Sequence, residues 1–357
     1  MIDRDFWRGR RVLLTGHTGF KGAWLAAWLG RLGAQVHGLA LAPERQIGGE
    51  ASLFERLVPI PGLVSHIGDI RDPAAVEAAV EAARPSVVLH LAAQALVRRS
   101  YRDPVGTVST NVAGLVALLE ALRGSPGLKA ILVATTDKVY RNAELGGAFA
   151  EDDPLGGHDP YSASKAAAEI LTDSWARSFF DAQGVAVATA RAGNVIGGGD
   201  ASEDRLIPDL WRAHLAGARP ELRNPESVRP WQWVGEPLAG YLAYAERLAK
   251  GLPDTPRALN FGPRGGETLT VGQTANLFLS ALGAEGGWRQ ADGAHPHEAG
   301  FLALDAGLAQ RRLGWRPRLS AAEGLQWTAE WYRAVESGQE ARALTLAQIE
   351  RYEALNG

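Results

Sequence analysis

Short apolar runs alternate with longer stretches of helical periodicity along the first half of the chain. Arg11-Val12-Leu13-Leu14-Thr15 is an apolar run that ends in glycines, and it reads as a buried strand. From Ala23 to Leu32 the bulky positions are Trp24, Leu25, Trp28, Leu29 and Leu32, which is helical spacing. Further strands are predicted at Gln35 to Leu41, Leu63 to Gly68, Ser86 to Ala92, Lys129 to Thr135 and Val185 to Ala190. Helices are predicted at Pro73 to Arg84, Pro104 to Arg123 and Tyr161 to Phe180. Strands that alternate with helices imply a parallel sheet covered on both faces. The expected fold is therefore α/β, a Rossmann-type doubly wound sheet.

Beyond Asn194 the pattern breaks. Gly197-Gly198-Gly199 and the stretch from Arg219 to Pro230 read as loops. Helices follow at Glu236 to Lys250, Val271 to Leu282 and Ser320 to Val335, with a short strand at Leu259 to Gly262. These features suggest two parts. One is a nucleotide-binding domain over 1–194, with a return segment at about 230–265. The other is a smaller α/β substrate lobe over 195–229 and 266–357.

Composition narrows the chemistry. Apolar residues make up 46% of the chain and charged residues 22%, which is globular. Cysteine is absent, so disulfides and thiolate metal sites are excluded. The formal charge of −3 argues against nucleic-acid binding. No uninterrupted apolar run is long enough for a bilayer, and the N-terminus lacks a signal-like apolar stretch, so no membrane association and a cytoplasmic location are expected. Only five of 37 cationic residues are lysine: Lys21, Lys129, Lys138, Lys165 and Lys250. Lysine can be tuned to release its proton, whereas arginine cannot. Lysines are therefore the cations to examine first for acid–base work.

Gly16-x-x-Gly19-x-x-Gly22 lies between the first predicted strand and helix. There glycines allow a tight turn and close approach to a pyrophosphate, which the helix N-terminus then faces. Gly16, Thr18, Gly19, Phe20, Lys21 and Gly22 are candidate dinucleotide contacts. Asp69 and Ile70, after the third strand, are candidates for the adenine. Ala92 and Ala93, after the fourth, and Thr135, after the fifth, are candidates for the cofactor cleft. The second strand ends in Gly38-Leu39-Ala40-Leu41-Ala42 without an acid, and Arg45 nearby could attract a 2′-phosphate. This loop alone leaves NAD and NADP both open.

Tyr161 and Lys165 stand one helical turn apart and share a face. A neighbouring ammonium favours the phenolate, which would make Tyr161 a usable base. Thr136-Asp137-Lys138 follows the fifth strand, at the sheet edge where such folds bind ligands. An acid and a base in that turn exceed what plain hydride transfer needs. A direct Asp137–Lys138 pair would shift both protonation equilibria against those roles. The two are therefore expected to face different parts of the site, unless Lys138 stays charged and stabilises an enolate. His295-Pro296-His297-Glu298 has ligand-type residues but no evident further ligand, so no metal is expected. Arg98-Arg99 and Arg311-Arg312 read as solvated helix surface, and Trp231 as either a base-stacking or a core residue.

The glycine motif combined with Tyr161-x-x-x-Lys165 resembles the extended short-chain dehydrogenase/reductases, which include nucleotide-sugar epimerases and dehydratases. Thr136-Asp137-Lys138 looks like the CDP-glucose 4,6-dehydratases. So do Asp159-Pro160-Tyr161-Ser162-Ala163-Ser164-Lys165, the run from Arg191 to Asp200, the run from Glu203 to Asp209, and Arg229-Pro230-Trp231-Gln232. The resemblance implies NAD as cofactor and CDP-glucose as substrate, in deoxysugar biosynthesis of the kind that supplies lipopolysaccharide. It implies Thr136, Asp137, Lys138, Tyr161 and Lys165 as catalytic residues, and Gln94, Asn194, Arg205 and Arg229 as substrate contacts. It also implies a homodimer built on the helices from Pro104 and Tyr161, extendable to a dimer of dimers. Asp137-Lys138 speaks against an epimerase. A non-catalytic NAD sensor would lose the tyrosine or the lysine.

Overall fold

The structure is a computed structural model that describes residues 2–44, 51–144, 146–293 and 298–355. Arg45, and His295 to His297 of the His-Pro-His-Glu run, lie outside the described residues.

Seven parallel strands form the central sheet: β1 (Arg11–Thr15), β2 (Gln35–Ala40), β3 (Leu63–Ile67), β4 (Val87–His90), β5 (Ala130–Ala134), β6 (Ala186–Ala192) and β7 (Ala258–Phe261). Their order is β7-β6-β5-β4-β1-β2-β3. The chain reverses direction across the sheet between β1 and β4, which pair in register from Val12↔Val87 to Thr15↔His90. Ligands of such sheets bind at that switch point, beyond the strand C-termini. All seven predicted strands exist, shifted at most by two residues at their ends. The expected α/β fold is the one observed.

The principal helices are α1 (Phe20–Arg31), α2 (Pro73–Ala83), α3 (Val97–Arg102), α4 (Pro104–Leu122), α5 (Pro160–Trp175), α6 (Leu206–Leu215), α7 (Gly235–Ala249), α8 (Val271–Leu282), α9 (Ala321–Glu336) and α10 (Ala341–Ala354). Helix α4 is long and apolar enough, by length and composition, to match a membrane span. It nevertheless buries Leu115, Leu118, Leu119 and Leu122 in the core, beside Ile131 and Val133 of the sheet. It passes through a π turn at Ser109–Ala113.

One apolar core lies between the sheet and α1, α7 and α9, with Trp24, Trp28, Trp233 and Trp327 among its members. A second lies on the opposite face, under α2 and α4. Helix α10, read as part of the substrate lobe, lies back on α1. The Trp28 indole donates to Glu353 at 2.9 Å, and Trp28 meets Tyr352 edge to face at 5.8 Å. Trp231 is buried and donates to the Leu269 carbonyl at 3.2 Å, so its role is in the core.

Candidate active site

The turn after β1 puts its three glycines to three uses. Gly16 has φ +77, and a Cβ there would come within 2.7 Å of the Ala92 amide nitrogen, so the turn needs glycine for both reasons. Gly22 could not carry a Cβ either, since it would fall 1.9 Å from the Gly16 carbonyl oxygen. At Gly19 the nearest protein atom would be 3.4 Å away, so the chain itself tolerates a side chain there. Gly19 is the N-cap of α1 and makes no side-chain cap, which leaves first-turn amides available to an anion. Thr18 ties this loop to the end of β2 by donating to the Leu41 carbonyl at 2.9 Å. Phe20 packs against the main core. This cradle fits a dinucleotide pyrophosphate.

Lys21, on the first turn of α1, donates to the Tyr241 hydroxyl at 2.9 Å. Burial, reinforced by the charges of Lys165 and Arg205, pulls its ammonium down to about 7, with Asp137 opposing. Asp69 forms a two-pronged pair with Arg71, which holds its carboxyl below the usual range. Ile70 is buried against the second core. The Ala92 amide donates to the Thr15 hydroxyl oxygen at 3.2 Å, and Ala93 follows it in the chain. Beyond β2, Glu44 is paired with Arg99 at 2.8 Å.

The Thr136-Asp137-Lys138 turn is a short 3₁₀ segment, Asp137–Val139, capped by the Thr136 side chain. Asp137 is fully buried. Its Oδ1 accepts from the Thr136 hydroxyl at 3.0 Å and from Lys138 Nζ at 2.9 Å, and its Oδ2 has no partner. Lys138 also reaches Asn194 Oδ1 at 3.4 Å. The expectation that Asp137 and Lys138 face different parts of the site is therefore corrected: they form one pair. Adjacency in so short a turn brings the two side chains together.

Tyr161 and Lys165 lie on the buried face of α5, whose first turn is capped by Asp159 and begins with Pro160. The Tyr161 phenol is raised above its usual value, chiefly by burial. A hydrogen bond with Thr136 and the charge of Arg205 oppose that rise, while Asp137 adds to it. The expected lowering by Lys165 is not what this arrangement produces. The Lys165 ammonium donates instead to the Ala134 carbonyl at 3.1 Å. Burial brings Lys165 down to about 8, with Glu169 opposing.

The remaining predicted contacts divide. Arg205 donates to the Ala95 carbonyl at 3.0 Å, and its charge reaches both Tyr161 and Lys21. Arg229 is buried, donates to the Val228 carbonyl at 2.8 Å and faces Asp137. Gln94 is turned inward: its amide donates to Leu96 O and Thr107 Oγ1, and its oxygen accepts the Leu96 amide. That side chain shapes the loop after β4, so substrate contact by it is not supported. The Thr135 hydroxyl likewise donates to Glu169, which leaves only its main chain for a cofactor.

A family model described as GDP-mannose 4,6 dehydratase matches residues 13–328. The chain belongs to this 4,6-dehydratase family. A CDP-glucose 4,6-dehydratase of Salmonella typhimurium is 43% identical over 359 residues, covering 99% of this chain and 98% of that protein. A dTDP-glucose 4,6-dehydratase of Streptomyces griseus is 34% identical over 69% of this chain and 71% of its own. The crystal structure of DesIV, a dTDP-glucose 4,6-dehydratase from Streptomyces venezuelae with NAD bound, superposes with a TM-score of 0.77. It is 28% identical and covers 92% of this chain and 99% of that one.

Sequence reasoning on this dehydratase missed residues that act through others. Asn111 is buried in α4, where it accepts the Gln94 amide and donates to the Ser164 hydroxyl at 2.9 Å. A lone asparagine in an apolar helix signals such a partner. Arg98 and Arg99 were expected to be solvated. They pair with Asp204 at 2.8 Å and Glu203 at 3.0 Å, joining α3 to the segment that carries Arg205. Asp204 has φ +56, a left-handed conformation held by those pairs. Arg311 and Arg312 are exposed, as expected. Among the described residues no metal-ligating cluster is present.

Proposed function

We propose that this chain is a NAD-dependent CDP-glucose 4,6-dehydratase that converts CDP-glucose to CDP-4-keto-6-deoxyglucose. The observation that carries the reading is the Asp137–Lys138 pair set in the same turn as Thr136, the partner of Tyr161. An epimerase needs no such acid. The name of the Salmonella relative supports the cytidine nucleotide.

Gly16, Thr18, Gly19, Phe20, Lys21 and Gly22 would hold the cofactor's phosphates, with Asp69, Ile70, Ala92, Ala93 and the Thr135 main chain along its length. Bound there, NAD would supply the hydride acceptor and donor that oxidation at C4 and reduction at C6 require. The protein's own groups handle the protons. Tyr161 Oη removes the proton of the 4-hydroxyl, with the Thr136 hydroxyl and the charge of Arg205 working against the burial that keeps the phenol protonated.

The Asp137–Lys138 contact is one proton transfer away from a carboxylic acid and an amine. Covering the pair with substrate removes water, which disfavours two buried charges relative to a neutral pair. The Lys138 amine then takes the proton from C5, acidified by the 4-ketone. Asp137, through its unpartnered Oδ2, protonates the departing 6-hydroxyl. The Lys138 ammonium returns that proton to C5 as hydride comes back to C6, and the proton that Tyr161 took from the 4-hydroxyl balances the one that Asp137 gave to the leaving water. Arg205, Arg229 and Asn194 would hold the diphosphate.

Helices α4 and α5, with α3, expose Val105, Val108, Ile170 and Tyr101. This is the face proposed for a homodimer, which could extend to a dimer of dimers. A cytoplasmic location completes the reading.

The test is incubation of purified protein with NAD and CDP-glucose, with dTDP-glucose and GDP-mannose in parallel. The alkali-induced absorbance of a 4-keto-6-deoxy sugar is expected from CDP-glucose alone. The same absorbance from another nucleotide only would overturn the substrate, and none from any would overturn the dehydratase.

A further inference from the structure

The face of α5 that carries Tyr161 and Lys165 continues one turn further to Glu169, a carboxylate 4% exposed. Three groups, from the end of β5 and from β6, converge on it. Its Oε1 accepts the Thr135 hydroxyl at the end of β5. Its Oε2 accepts the Thr189 hydroxyl at 2.6 Å and Arg191 Nη2 at 2.8 Å, both from β6. Arg191 is equally buried and passes the network on, donating to the Tyr140 hydroxyl at 2.8 Å, which donates to Asn260 of β7 at 2.6 Å. A charged pair this deep adds little stability over apolar packing. Its worth lies in what it fixes.

Thr135 sits between two residues of the site. The carbonyl of Ala134 before it holds the Lys165 ammonium, and Thr136 after it partners Tyr161. Tying Thr135 to Glu169 therefore sets α5 against the turn that must work with it. The second consequence is electrostatic. The groups facing Lys165 from other elements are Lys21 of α1, itself pulled down to about 7, and His90 of β4, a buried histidine held neutral. Glu169 itself is faced by Arg191 from β6 and by Tyr244 from α7, with Tyr140 and Glu151 beyond Arg191. Glu169 is the acid that favours the charged form of Lys165.

We propose that Glu169 is a positioning residue of the reaction: it locks the helix of Tyr161 and Lys165 to the turn of Thr136, and its charge keeps Lys165 an ammonium. The proposal rests on Tyr161 and Lys165 being the catalytic pair, and its main test does not need turnover.

With only five lysines, the ammonium groups of ¹³C-labelled protein can be followed one by one by NMR, Lys165→Met and Lys21→Met giving the assignments. In Glu169→Gln the Lys165 titration is expected to fall by about one pH unit, a tenfold change in its protonation constant. The basic limb of kcat should move down with it, at little change in KM. An unmoved Lys165 in folded Glu169→Gln would overturn the electrostatic role, whatever the substrate proves to be. Glu169→Asp keeps the charge and shortens the reach, so it should keep the lysine titration and lose kcat. Should Glu169→Gln not fold, Thr135→Val carries the test. It should lower kcat roughly 10-fold or more by misplacing the turn, with Lys165 titrating as in the parent. A parental kcat in Thr135→Val would overturn the lock.

Discussion

Lys138 Nζ lies 2.9 Å from one oxygen of Asp137, while the other oxygen of that buried carboxylate has no partner. Adjacency in the chain keeps the two side chains within reach of each other. If one proton shuttles between them, Lys138→Arg should fail despite keeping the charge, because arginine does not release its proton. A loss of roughly 10²–10⁴ in kcat is expected, similar to Lys138→Met, with KM little changed. Steady-state kinetics at saturating NAD would measure it. Retention of most activity in Lys138→Arg would mean that Lys138 acts by charge alone.

The glycines of the β1–α1 turn should separate two effects that are usually merged. Gly22→Ala drives a methyl into the Gly16 carbonyl, and a loss of roughly 1–3 kcal/mol of stability is expected along with weakened cofactor binding. Gly19→Ala meets no protein atom closer than 3.4 Å. It should melt like the parent and yet bind NAD more weakly. Thermal melting and calorimetric titration with NAD on the same samples check both.

Glu236 is a fully buried carboxylate that accepts the amides of Arg318 and Leu319 and the hydroxyl of Tyr352. Burial raises it from 4.5 to about 7, and those hydrogen bonds oppose the rise. A raised acid contributes fully below its unfolded value near 4.5, and that contribution is lost as pH climbs through about 7. Glu236→Gln cannot ionise. Relative to the parent it should gain stability as pH rises from 5 to 8, by about 2 kcal/mol. Denaturant melts at the two pH values would read this out. A gap independent of pH would show that Glu236 ionises in the fold as readily as in the unfolded chain.

Val105 is 78% exposed on α4 and Ile170 59% exposed on α5. If these helices pair with those of a second copy, Val105→Glu and Ile170→Glu should each shift the protein toward monomer in sedimentation velocity. A charge buried at such a face costs several kcal/mol. An unchanged sedimentation profile in both variants would place the interface elsewhere.

The sheet was legible in the sequence because each strand is a short apolar run stopped by glycine, proline or a polar residue, as at Thr15-Gly16 and Ser86. The glycine turn and the Tyr161–Lys165 spacing were legible for a related reason: both are local, set within one turn of chain. The misreadings concern partners that the local sequence does not specify. Arg98 and Arg99 look solvated until Glu203 and Asp204 are placed beside them, about a hundred residues on. Gln94 has the chemistry of a ligand contact, and the loop that consumes it is defined by Leu96 and Thr107 together. Lys165 turns to Ala134 because α5 is docked on β5, which no pattern within α5 announces. Helix α10 went unread because Leu344, Leu346, Ile349 and Tyr352 do not line one clean stripe.

The contact between Trp28 and Glu353 joins positions 325 residues apart. Helix α1, whose N-terminus is proposed to cradle the dinucleotide, has its outer face covered by a helix made 325 residues after Trp28. During synthesis that tryptophan-rich face must wait, uncovered, for most of the chain to be made. Long-range closures of this kind form late and leave apolar surface open to aggregation in the interval. Cofactor binding should accordingly wait for α10, and slowed translation just before the codons of α10 should prolong dependence on chaperones rather than change the finished enzyme.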